Sequence, residues 1–156
     1  SDVCSSDLVI QECRNAKVEV ENKIVGQIDF GEMVLVGFKP NDDKKIVDKM
    51  IDKMLKLRIF PDENGKTNLS LEKFGGNILA VSQFTLYGNL KEGNRPSYCT
   101  SMPADEARNL FEYFKEKLLE KWPKAQFGIF QADMLVSFTN VGPSTFILDS
   151  EELFNE

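Results

Sequence analysis

Between Leu8 and Phe38 the apolar positions recur at every second residue or in short runs: LVIQEC, KVEVE, KIVGQID and EMVLVGF, broken at Asn15, Asn22 and Gly31. A period of two places successive side chains on opposite faces of an extended chain, so these stretches predict antiparallel strands. Val18 and Val20 alternate with Lys17, Glu19 and Glu21, as in a half-exposed strand. MVLVGF is apolar throughout and predicts a strand covered on both faces. After PNDD the period changes to that of a helix. Ile46, Val47, Met50, Ile51, Met54 and Leu55 then share one face, and Asp42 and Asp43 stand at its positive end.

LRIF predicts a short strand, PDENGK a turn and NILAVSQFTLYG a long strand. NLKEGNRPSYCTSMP reads as a loop. Pro103 opens a second helix, with Asp105 and Glu106 in its first turn and Leu110, Phe111, Phe114, Leu118 and Leu119 on its inner face. FGIF, DMLVSF and TFILDS predict three closing strands, followed by an acidic tail over 151–156. Together these elements predict an α/β fold: a mixed or antiparallel sheet curving into a barrel-like core, with two packed helices. A chain of 156 residues predicts one domain, over 9–150. The opening SDVCSSDL, residues 1–8, is neither basic nor followed by a long apolar run and reads as an atypical leader extraneous to that domain.

Composition narrows the chemistry. Hydrophobic residues make up 42% and charged residues 28%, with no apolar run of the roughly 20 residues that a membrane helix needs. The formal net charge of −6 disfavours a broad phosphate-neutralising surface, so DNA is not an expected partner and any nucleic-acid contact must be local. Cys4, Cys13 and Cys99 show no metal-ligand spacing and predict inert thiols in a reducing compartment. The chain contains no histidine. That removes Ser-His-Asp and Cys-His catalysis and the usual zinc sites; no metal and no cofactor is expected.

Two stretches remain as candidates for chemistry. In SQFTLYG a strand leaves the core and presents Ser82, Gln83 and Thr85 before a glycine. Either hydroxyl could act as a nucleophile, yet no lysine or carboxylate base is adjacent in sequence. The alternative is that they satisfy backbone groups, and N–H groups near Phe84 and Thr85 could themselves stabilise an oxyanion. In NVGPST, residues 140–145, the pattern alone reads as a hairpin turn. The other reading is a cis Gly142–Pro143 bond that aims two consecutive carbonyls the same way as a rigid polar wall.

VIQ, LRIF, NGK.NLS, GG, SQFTLYG, G.RPS, ADM and N.GP.T occur in this order from about Val9 to Asp149, and with them the chain resembles the D-aminoacyl-tRNA deacylases of the D-tyrosyl-tRNA deacylase family. The resemblance implies a cytoplasmic homodimer that hydrolyses the ester between a D-amino acid and the terminal adenosine of tRNA. It implies that Gly142 and Pro143 reach into the partner's pocket, where they exclude an L side chain and leave glycyl esters acceptable, including glycine mischarged on alanine tRNA. It implies catalysis by the tRNA 2′-OH with backbone N–H groups around Phe84, while Ser82 and Gln83 shape the pocket and Thr85 matches a position once favoured as a nucleophile. Asn140, Thr145, Phe130, Met134 and Ala107 are implied to bind substrate, Phe130 and Met134 near the terminal adenosine. Ordinary core packing is the other reading of Phe130 and Met134. Lys91 and Arg95 are the local cations.

The sequence departs from the family at Glu12, where VIQEC stands in place of VIQRV and an acid replaces the arginine implied to brace the Gly-Pro loop. Val141 and Ser144 also depart from NDGPVT. Two other classes compete with the deacylase: a conventional Ser/Thr acyl hydrolase using Thr85 or Ser82, and a non-catalytic relative that holds tRNA ends.

Overall fold

A computed structural model describes residues 6–98 and 101–154. Cys4 and Cys99 lie outside the described residues; Cys13 is buried and free. The chain runs β1 (Asp7–Val20), β2 (Lys23–Gly37), α1 (Lys44–Lys56), β3 (Phe60–Pro61), β4 (Thr67–Leu69), α2 (Leu71–Phe74) and β5 (Asn77–Ser82). A 3-10 turn (Phe84–Tyr87), α3 (Ala104–Lys121), β6 (Gln126–Phe127), β7 (Leu135–Asp149) and α4 (Ser150–Phe154) complete it. β6-β5-β2-β1-β7 form a mixed sheet: β1 is antiparallel to β2 and β7, and β5 is parallel to β2 and β6.

The expected α/β class with a mixed sheet holds, and several element boundaries differ. The four short strands expected before Phe38 are two long ones. Of the three breaks, only Asn22 turns the chain: Glu21 and Asn22 have φ of 50° and 65°, the paired positive φ of a two-residue hairpin turn. Asn15, at φ 52°, sits in a bulge, since Arg14 pairs with Thr139 and Lys17 with Ser137. Gly31 marks a close approach: a Cβ there would lie 2.0 Å from the Asn77 carbonyl oxygen where β5 joins β2.

The expected long strand NILAVSQFTLYG stops at Ser82, because Gln83 to Gly88 wind into the 3-10 turn. LRIF contributes only Phe60, which with Pro61 of the expected turn forms one strand of a small hairpin closed across Asp62 to Gly65. FGIF contributes only Phe127, which follows Gln126 in a two-residue strand; LVSF and TFILD, from the other two stretches, belong to one strand, β7, so NVGPST is not a hairpin turn. Most of the expected acidic tail, Glu151–Phe154, lies in α4.

Apolar periodicity sets what each sheet face covers. Leu8, Ile10, Val34, Val36, Ile78 and Ala80 pack against α1 and α3 through Val47, Met50, Ile51, Met54, Leu110, Phe111, Phe114 and Leu118. Each of these buried side chains larger than that of Ala80 contributes about 1.5–3 kcal/mol. Asp43 caps α1 by accepting from the Ile46 N–H at 3.0 Å, worth about 1 kcal/mol. Tyr113 donates to Asp48 at 2.8 Å and ties the two helices together. Cys13, Ala16, Val18, Ile28, Met33, Leu79 and Val81 form a second cluster on the opposite face, and Met134, Val136 and Phe138 pack over it. Met134, just before β7, and Val136, near its start, thereby lie near Val81 and Ser82 at the C-terminal end of β5.

Candidate functional site

β5 is flanked by β2 and β6 and buried through Val81, so it delivers the chain rigidly to the sheet's end. The Gln83 N–H still donates to the Val36 carbonyl at 2.8 Å, and the backbone then leaves the ladder. Phe84 and Thr85 fall in the first turn of the 3-10 segment, where N–H groups have no acceptor within the turn. The Phe84 ring is 63% exposed and tilts against Tyr98 at 5.1 Å, which leaves an aromatic face at the opening.

A cleft of about 690 Å³ opens there, floored by Val36, Gly37 and Val81 and walled by Ser82, Gln83, Phe84, Phe130 and Met134. Ala107 lines it from α3, Asp133 of the ADM stretch lines it as well, and Met102 and Gln131 line it without having been singled out in the sequence. Met102 belongs to a segment with no periodic pattern, and Gln131 is aimed by a backbone φ of +64°; neither carries a signal in the sequence. Asp133 is the charged residue among those lining the cleft. The cleft can thus enclose an apolar or aromatic group while offering hydroxyl, amide and backbone N–H donors at one end.

Thr85 does not line this cleft; it is exposed, and its hydroxyl oxygen accepts from the Gln83 amide. Lys91 and Arg95 are exposed in the following loop. Asn140, Gly142, Pro143 and Thr145 do not line the cleft of their own chain either. Gln11 pairs with Thr145 and Cys13 with Asn140, so Val141, Gly142, Pro143 and Ser144 bulge out opposite Glu12 alone. Thr145 Oγ1 accepts from Asn140 at 3.3 Å and from Gln11 at 3.2 Å, which closes the base of the bulge. The Gly142–Pro143 peptide is cis, Gly142 has φ of +117°, and both residues are exposed.

A second hollow of about 310 Å³ lies at Glu12, Cys13, Arg14, Asn15, Asp29, Phe30 and Phe74. Burial raises the Glu12 carboxyl above its ordinary value, with Arg14 opposing the shift. Burial, then the charges of Glu32 and Glu12, pushes the Cys13 thiol up to about 12, so it is no nucleophile at neutral pH. Among the described residues no group of His, Cys, Asp or Glu could hold a metal ion. Nor is any helix among them long and apolar enough to cross a membrane.

The sequence pattern of the D-Tyr-tRNA(Tyr) deacylases matches residues 9–149. D-aminoacyl-tRNA deacylases of Kosmotoga olearia and Thermosipho africanus are 48% and 49% identical over 146 residues, covering 94% of this chain and 98% of each relative. A solved structure, the c-Myc DNA unwinding element binding protein, superposes with a TM-score of 0.84 at 34% identity over 91% of this chain and 97% of that one. A probable eukaryotic D-amino acid tRNA deacylase superposes with a TM-score of 0.80 at 19% identity, covering 93% and 99%, and shares the fold. From its matching sequence over almost its whole length, the chain belongs to the D-Tyr-tRNA(Tyr) deacylase family.

Proposed function

We propose that this protein is a D-aminoacyl-tRNA deacylase: it hydrolyses the ester between a D-amino acid and the terminal ribose of tRNA, releasing the free amino acid and tRNA. One observation carries the reading. The SQF stretch lines a cleft whose charged lining residue is Asp133, with no histidine or lysine among the described lining residues, which supports activation of the ester by the substrate itself over a side-chain dyad. The substrate supplies the missing group, because the 2′-OH beside the ester can assist attack of water on the carbonyl carbon. Backbone N–H groups around Phe84 stabilise the oxyanion that forms, the carbon–oxygen bond to the ribose breaks, and the proton from water reaches the departing 3′ oxygen. Phe130 and Met134 offer an apolar bed for the terminal adenine.

Chirality is read by the bulge at Gly142 and Pro143. Both residues are exposed and outside their own cleft, which supports their serving the cleft of a second copy. β7 is an edge strand with Leu135 66% and Ile147 71% exposed, a surface suited to such a copy. A fixed pair of carbonyls near Cα leaves space for hydrogen and none for a methyl, so L-esters are rejected while D-esters and glycyl esters, including those on alanine tRNA, enter. The net charge of −6 favours a grip on the tRNA end alone over an extended nucleic-acid surface. The enzyme works in the cytoplasm, where charged tRNA is found.

The test is deacylation of D-Tyr-tRNA, L-Tyr-tRNA and Gly-tRNA measured side by side. Rapid loss of the D and glycyl esters with the L ester intact is expected. Stability of all three esters would refute the reading.

A further inference from the structure

Arg108, in the second turn of α3, directs its guanidinium over the Phe130 ring at 5.1 Å and donates through Nη2 to the Gln131 side-chain oxygen. Phe130 and Gln131 both line the cleft, as does Ala107, the residue before Arg108. Gln131 holds φ of +64°, a left-handed conformation that costs a long side chain about 1–2 kcal/mol and is kept here with its amide against Arg108. A ring beneath and an amide beside thus hold the guanidinium at the rim of the cleft.

Among the described residues no carboxylate pairs with this cation. The ion pairs among the described residues are Lys17–Glu19, Lys117–Glu120 and Lys121–Asp52. A guanidinium has five N–H donors in a planar fork; one faces Gln131 and the remainder stay available to a planar or tetrahedral anion. In a chain of net charge −6, an unpaired arginine fixed beside a cleft whose charged lining residue among those described is Asp133 suits one local phosphate.

We infer that Arg108 is a positioning residue for the RNA end: it holds the phosphodiester on the 5′ side of the terminal adenosine while the base and the acyl group occupy the cleft. This rests on the deacylase reading. Base and phosphate are then gripped by adjoining groups, Phe130 and Arg108, and the ester is placed against Phe84 without any contact to the chemistry from the arginine itself.

The experiment compares D-Tyr-tRNA with the D-Tyr ester of adenosine, which lacks the phosphate, using the full chain, Arg108→Gln and Arg108→Lys. Arg108→Gln is expected to raise KM for the tRNA about tenfold with kcat within about twofold, to lower the salt dependence of log kcat/KM by about one, and to leave the adenosine ester unchanged. Arg108→Lys should recover part of the loss. An equal loss on both esters would show that Arg108 merely supports Phe130, and an unchanged tRNA reaction would remove it from recognition; either overturns the inference alone. No turnover of either ester by the unsubstituted chain overturns the deacylase reading, and the inference with it.

Discussion

Glu12 and Glu32 are cross-strand partners on β1 and β2. Glu12 is 8% exposed at the rim of the smaller hollow; Glu32 is 1% exposed, and neither of its carboxylate oxygens has a hydrogen-bond partner. Alternation along β2 puts Glu32 on the face of Val34 and Val36, among groups that cannot solvate a charge. Burial raises it from 4.5 to about 8. Asp7, which pairs with Asp149 across β1 and β7, is raised to about 6 by burial first and by the charge of Asp149 second.

A pH dependence follows, with a definite sign. Where the folded pKa lies above the unfolded one, the native state holds the extra proton, so stability is fullest below the unfolded value and falls as pH rises. Glu32 imposes this fall between about pH 4.5 and 8, and Asp7 between about pH 4 and 6. Glu32→Gln should flatten the first window and stabilise the protein at pH 8 by about 2–4 kcal/mol relative to its effect at pH 4. Urea denaturation at the two pH values reads this out. A variant with the same pH slope as the parent would show that Glu32 stays solvated.

At Gly142 a Cβ would lie 2.7 Å from the Ser144 hydroxyl oxygen and 2.8 Å from its backbone nitrogen, at a φ that L side chains rarely adopt. Gly142→Ala should therefore displace the bulge at a local cost of about 1–3 kcal/mol. Because the loop is exposed on an edge strand, the two-helix core should stay folded. Discrimination between D-Tyr-tRNA and L-Tyr-tRNA should drop at least about tenfold. Undiminished discrimination in a folded variant would remove the bulge from chiral selection.

Thr85 bonds to Gln83 and does not line the cleft. Thr85→Ala should leave kcat for D-Tyr-tRNA within about threefold, since backbone N–H groups survive the change. Loss of about a thousandfold or more would instead assign the hydroxyl a nucleophilic role.

Ala107 presents a methyl to the cleft from α3, half-buried. Ala107→Leu should fill part of the 690 Å³ and raise KM several-fold, with little change in melting temperature because the added carbons enter open space. An unaltered KM would place the substrate elsewhere.

Local pattern determined much of this protein. The period of two before Phe38, the helical face from Ile46 to Leu55 and the inner face of α3 were legible because burial imposes those periods on the sequence. SQFTLYG and N.GP.T were legible as candidates because polar groups and a Gly-Pro pair interrupt strands that composition alone would continue. Tertiary structure decided the rest. Whether Asn15 and Gly31 end strands or bend them depends on partners far away in sequence, Thr139 and Asn77, which local propensity does not contain. That Phe130, Ala107 and Ser82 share a cleft while Pro143 stands outside it, and that Arg108 meets Phe130 and Gln131, follows from the arrangement of the sheet strands and the seating of α3. Those placements arise from the summed packing of separated segments, and no single stretch of chain encodes them.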